Sequence, residues 1–208
     1  MIRRSLVCLA FTALFSITPA AAQQADTLTT SLRPGARSLS FGALGGGGGA
    51  FQYWRMRSER TNLGVMVTLG ADYSHGERSG PGRDDEDDRA SVSISAGPVL
   101  RRYATTTAKV NPFLYGEALA GYRFHVLQGS PAPATQTQQA VIGTVAFGLG
   151  AEWFPVRSIS FSGQTGLQLR SYYSYEEFGV QTSEAFGLSV STFTSSLFVN
   201  LYWLPRVR

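Results

Sequence analysis

Residues 140–175 read AVIGTVAFGLGAEWFPVRSISFSGQTGLQLRSYYSY. In the first arm Val141, Val145, Phe147, Leu149, Ala151 and Trp153 share one parity, and Thr144, Ala146, Gly148, Gly150 and Glu152 share the other. In the second arm Ile159, Phe161, Leu167 and Leu169 alternate with Ser160, Ser162, Gln164, Gln168 and Arg170. A period of two means extended strands with one apolar and one polar face. Pro155 to Ser158 is a short turn between the arms. Strands of globular proteins cluster at about 5–6 residues, and both arms are much longer. A strand crossing a bilayer at a tilt needs about 9–11 residues, so length points to a membrane.

The first 22 residues carry Arg3 and Arg4, an apolar run from Leu6 to Ile17, and Ala20-Ala21-Ala22. That is the layout of a secretory signal peptide cut ahead of Gln23. Cys8, the single cysteine, falls too early for a lipid attachment site and lies in the removed segment. Disulfides, thiolate catalysis and cysteine-ligated metals are thereby excluded from the mature chain. What remains of the 208 residues suffices for one domain. Without Arg3 and Arg4 the 18 basic residues become 16, against 14 acidic ones, a balance that makes no case for nucleic acid. No run of 18 apolar residues follows the signal, so no membrane helix is expected. With 23 Gly, 13 Phe, 9 Tyr, 3 Trp and only 15% charged residues, the composition suits a transmembrane β-barrel.

Taken in order, residues 23–36 are a polar lead-in, expected to be flexible, and residues 37–208 are the barrel. The expected strands are Ser38–Leu44, Ala50–Met56, Leu63–Ser74, Ala90–Tyr103, Pro112–Val126, the two arms above, and Phe186–Leu204. Gly45 to Gly49 is expected as a tight turn or a kinked stretch between two strands; it lacks the Gly-Lys-Ser/Thr ending and following helix of a phosphate loop. Long polar loops are expected at His75–Arg89, Leu127–Gln139 and Glu176–Ala185, and short turns after strands two, four and six. Parity slips between Ser191 and Phe193 in the last strand, where a bulge would restore it. The fold class is all-β: an eight-stranded antiparallel up-and-down transmembrane β-barrel preceded by a signal peptide, with both termini on the periplasmic side.

Aromatic residues fall near strand ends, as interface girdles require. Tyr53, Trp54, Tyr103, Trp153 and Trp203 lie beside short turns or the C-terminus, and Tyr73, Tyr122, Phe124 and Tyr173 beside long loops. In strands three to seven charges keep to the polar parity, apart from Arg102 near an interface. Asp72, Arg101, Glu117, Arg123, His125, Glu152 and Arg170 therefore form the candidate lumen network. By height they divide into two tiers of mixed sign, which predicts paired networks plugging an interior just wide enough for side chains. Exchange of those pairs would make, at most, a narrow gated ion path.

With its eight strands and its ending SSLFVNLYWL, the chain resembles the small eight-stranded outer-membrane proteins of the OmpX and OmpA membrane-domain type. The resemblance covers essentially the whole mature chain. The ending is similar to the terminal strand signal read by the barrel assembly machinery, although Pro205-Arg206-Val207-Arg208 stands where many members end on an aromatic. The resemblance implies a monomer in the outer membrane of a diderm bacterium, in contact with outer-membrane lipid and lipopolysaccharide. It does not imply a function, because fold does not carry one.

Three readings compete over chemistry. The run Asp84 to Asp88 could offer oxygen ligands to Ca²⁺ or Mg²⁺; it lacks EF-hand spacing and reads as a solvated charge run, so no metal or cofactor is expected. Some small barrels of this type modify lipid A with a His and a Ser near the outer leaflet. Here His75 with Ser79 sits in an expected loop and His125 on the polar face, too little preorganisation to expect an enzyme. A soluble lipocalin-like periplasmic binding barrel would turn the apolar parity inward, against the aromatic placement and the glycine-rich polar parity. The expectation is a structural or surface-interaction role.

Overall fold

The computed structural model describes residues 30–44, 48–80, 83–129, 135–178 and 181–204, with side chains described for these except at 75–80, 83–88, 127–129, 135–136, 177–178 and 181. The strands are β1 Arg37–Leu44, β2 Gly49–Met56, β3 Thr61–Gly80, β4 Arg83–Tyr103, β5 Val110–Gly129, β6 Thr135–Val156, β7 Ile159–Phe178 and β8 Gln181–Trp203. Each pairs antiparallel with its sequence neighbour, and β8 closes the ring on β1 from Arg37↔Trp203 to Leu44↔Ser196. The chain is the all-β, eight-stranded up-and-down barrel that the alternation predicts.

The apolar parity faces outward. Val65, Leu69, Ile94, Leu114, Val145, Phe147 and Leu197 are exposed, and Leu149 is 61% exposed, whereas Gln52, Arg101, Glu152, Ser160 and Asn200 are buried inside. That is the reverse of a soluble lipocalin-like arrangement. On β6 the outward apolar residues run from Val141 to Trp153. Twelve rises of about 3.4 Å, at the usual tilt of about 40°, give a band roughly 30 Å tall. That matches the hydrocarbon core of a bilayer, about 30 Å.

Strand pairing runs beyond the expected ends. The stretches expected as long loops are largely ladder: β3 and β4 stay paired to Gly80↔Arg83, β7 and β8 to Phe178↔Gln181. Ladder bonds are made by the backbone, so polar side chains do not end a hairpin already in register. The apolar alternation marks only the part of each strand whose outer face meets an apolar medium. The β1–β2 hairpin is the exception. Both its strands have 8 residues, against 20 to 23 for the other six. It stops at the glycine run, where Gly48 takes a φ of 102° that side-chain-bearing residues rarely adopt.

The parity slip in β8 is a bulge. Gly166 faces Thr194 while Leu167 faces Thr192, leaving Phe193 unpaired with a φ of 59°. The extra residue puts Phe186, Leu188 and Val190 on the same outer surface as Leu197, Val199 and Leu201.

The lead-in departs from expectation over its described part, Thr30 to Ala36. Thr30 donates its hydroxyl to Thr106 O, and Ser31 donates to Arg157 O at 2.6 Å. Gly35 N–H reaches Met56 O at 3.0 Å, and Met56 N–H reaches Ala36 O at 2.8 Å. Leu32 is buried with Met56, Tyr103, Phe113, Phe154 and Tyr202. The segment is a packed floor across the short-turn end, held because Leu32 finds an apolar socket there. The signal-peptide stretch lies outside the described residues.

Candidate functional site in the lumen

The lower half of the lumen is organised around Glu152, fully buried on β6. Its Oε2 accepts from Tyr103 Oη at 2.5 Å. Its Oε1 accepts from Tyr202 Oη at 2.7 Å, from Asn200 Nδ2 at 3.1 Å, and from the Ser160 hydroxyl. Arg101, equally buried, holds Nη1 3.8 Å from Glu152 Oε2. Asn200 Nδ2 also donates to Ser160 and Ser162, at 2.9 and 3.1 Å.

The Arg101 guanidinium is sandwiched by rings, 4.5 Å from the Trp54 centroid and 4.8 Å from that of Phe113. Its Nη2 donates to Gln52 Oε1 at 3.4 Å, and Trp54 Nε1 donates to the same oxygen at 2.9 Å. A buried ion pair is tolerated only when other hydrogen bonds and polarisable surfaces satisfy both ends. Four donors supply that for the carboxylate; the guanidinium relies on its ring faces and on Nη2–Gln52, while its buried Nε and Nη1 make no hydrogen bond among the described residues.

Register decides which large rings fit inside. Trp54 stands opposite Gly64, Phe113 opposite Gly150, and Phe198 opposite Gly42. A Cβ on any of these glycines would collide with the facing ring. These three glycines are thus the space into which inward aromatics fold, an arrangement that stabilises glycine within a sheet.

Two residues expected in the girdle belong here instead. Trp54 and Tyr103 are each only 2% exposed. Trp54 follows Tyr53, so the pleat must turn the two rings to opposite faces; Tyr103 shares parity with Arg101. Height along the chain had suggested an interface for both, and parity overrides height. Tyr53, Trp153 and Trp203 do lie on the outside near the short-turn end, and Tyr73, Tyr122, Phe124 and Tyr173 on the outside toward the other end. Tyr53 packs 6.4 Å from Trp203 and Trp153 stacks 5.8 Å from Phe161.

Of the candidate charge network, the structure joins Arg101 to Glu152, with Glu117 near enough to attract Arg101. The upper tier does not pair as expected. Asp72 accepts from Ser91 at 3.4 Å. Arg123 and Arg170, of like charge, line a common cavity of about 320 Å³. Mixed sign by height was an insufficient criterion, because the ladder sets side chains at a similar height on different sides of the barrel. His125 is half-buried next to this tier. The side chains of His75, Ser79 and the Asp84–Asp88 run lie outside those described. Among the described residues no group of three or more His, Cys, Asp or Glu is placed to hold a metal ion. Sequence reading also passed over Tyr202, Asn200 and Ser160 as partners of Glu152, and Leu32 as the floor.

A closed eight-stranded ring with an apolar outside and a hydrogen-bonded polar inside has a counterpart among solved structures. It is similar to a major outer membrane protein from Thermus thermophilus, with a TM-score of 0.53 and 12% identity over 81% of this chain and 99% of that one. The fold is that of an outer-membrane β-barrel. A looser likeness is to Ail, the attachment invasion locus protein of Yersinia pestis, with a TM-score of 0.36 and 15% identity over 81% of this chain and 94% of that one. No protein-family model and no curated protein matches the sequence. In this outer-membrane barrel fold the buried carboxylate is ringed by neutral donors and faces one arginine. The carboxylate thereby ties β4, β7 and β8 to β6.

Proposed function

We propose that the chain is exported by its signal peptide and resides in the outer membrane as a monomeric barrel without enzymatic activity. Its lower lumen is sealed by the Glu152–Arg101 plug and the Leu32 floor. The observation that carries this reading is the coincidence of an apolar outer band of membrane height with an interior whose lower half is filled by the Arg101–Glu152 pair and its hydrogen bonds. Its role is structural or interactive at the cell surface, exercised by the polar ends of β3 to β8, which continue the sheet past the outer apolar band. Outer-membrane lipid and lipopolysaccharide are its surroundings, and the barrel assembly machinery inserts it.

The test is heat-modifiable migration of the mature chain from outer-membrane fractions on SDS gels, together with conductance in planar bilayers. A faster unboiled band in that fraction, with no resolved channel openings, is the expected result. An unshifted band in the soluble periplasmic fraction would refute the membrane reading. Steady conductance through the wild-type barrel would refute the plug.

A further inference from the structure

Among the described residues the barrel wall above the β1–β2 hairpin is incomplete. β2 pairs with β3 only as far as Gly49↔Leu69, and β1 with β8 only as far as Leu44↔Ser196. β3 continues to Gly80, and β8 begins fifteen residues earlier, at Gln181. Each therefore presents one unpaired edge to a gap two strands wide. Three strand spacings of about 4.8 Å put that gap at roughly 14 Å.

The cavity holding Arg123 and Arg170 lies beside this gap. Its wall is built by β5, β6, β7 and β8, with Ser189 on β8 opposite Arg170. Arg170 stands six residues beyond Gln164, whose β8 partner Ser196 is also the last partner of β1, so the cavity is above the hairpin tip. Gln138, Ser174 and Ser189 add neutral donors, and Ile142 forms an apolar patch. No acidic side chain lines the cavity among the described residues. Among the described residues the lumen acids have other partners: Glu152 in the floor, Glu117 by Arg101, Asp72 accepting from Ser91 and Glu176 accepting from Ser183.

Arg123 and Arg170 are both partly buried and share one cavity, so their like charges make it a site of positive potential that favours a counter-anion. A guanidinium presents a donor fork that matches phosphate oxygens, and a phosphoryl group carries enough charge and acceptors for two such forks. A cavity of about 320 Å³ accommodates a phosphorylated headgroup but not long acyl chains, which would have to remain outside, and the gap gives them a way out sideways. We infer that the upper lumen binds a phosphoryl anion between Arg123 and Arg170, with access through the gap between β3 and β8. The site's chemistry stands on the cavity alone; delivery from a lipid rests on the membrane reading above.

The experiment uses the full mature chain in neutral detergent micelles, with dioctanoyl phosphatidic acid as probe, dioctanoylglycerol as its phosphate-free control, and inorganic phosphate as competitor. Binding is followed by calorimetry. Phosphatidic acid should bind at least tenfold tighter than dioctanoylglycerol, and Arg123→Gln with Arg170→Gln should remove that preference. The Arg123→Lys, Arg170→Lys pair should restore part of it. Displacement by millimolar inorganic phosphate would identify a site open to free phosphate; retention of the lipid would identify the headgroup as the source. Equal binding of phosphatidic acid and dioctanoylglycerol by the wild type would overturn the inference, as would an unchanged preference in the glutamine pair. Affinity indifferent to salt between 50 and 500 mM would overturn it too, without any variant. Boiled and unboiled samples run in parallel tell a failed site from a failed membrane reading, because the latter abolishes the heat-modifiable band in the wild type itself.

Discussion

Glu152→Ala probes the centre of the barrel. The substitution removes the acceptor for Tyr103, Tyr202, Ser160 and Asn200, and it leaves the Arg101 charge fully buried with Gln52 at 3.4 Å as its described hydrogen-bond acceptor. Breaking a buried pair from one side costs about 3–5 kcal/mol, because the surviving charge is uncompensated. The converse change, Arg101→Met, should cost less, about 1–3 kcal/mol. Glu152 would keep four neutral donors after that change, whereas Arg101 without Glu152 keeps mainly ring faces. The asymmetry is thus a property of the geometry and not of ion pairs in general. Removing both, as Arg101→Met with Glu152→Leu, should recover a large part of the loss, since no charge is left stranded. Urea unfolding of the barrel in micelles, followed by tryptophan emission and by the fraction of heat-modifiable band, measures all three. A Glu152→Ala barrel within about 0.5 kcal/mol of wild type would refute the reasoning. So would an Arg101→Met barrel less stable than Glu152→Ala.

Two further expectations concern the outer wall and the floor. Val67 faces outward and Thr68 inward on β3; Val67→Arg should cost about 2–4 kcal/mol in a bilayer and deplete the folded band, while Thr68→Arg should deplete it less, and equal depletion by both would contradict the facing. Leu32→Ala should destabilise the barrel by about 2–5 kcal/mol, the usual cost of truncating a buried leucine, read as a shift of the urea midpoint; an unchanged midpoint would mean that the floor segment contributes nothing to the fold.

The amount legible in the sequence follows from what is local. Whether a residue faces lipid or lumen is set by parity, which is a property of one strand. The outward faces of Val145, Phe147 and Leu149, the inward place of Arg101 and Glu152 and the bulge at Phe193 could therefore be read from the chain. Trp54 and Tyr103 were misplaced where height was used in place of parity. The strand ends at Gly80 and Phe178 were hidden because backbone pairing needs no apolar signal.

The sequence by itself determined the strand count, the membrane-scale length of the apolar alternation and the sorting of charge to one face, since each depends only on neighbours along the chain. Register and closure decided the rest. They set Gly64 under the Trp54 ring, gathered Tyr103, Tyr202 and Asn200 onto Glu152, drew Leu32 into the floor, and left Arg123 and Arg170 together beside an unfinished wall. Side chains from different strands meet only when the sheet has curled shut, and the stagger that brings them level is a property of the whole ring.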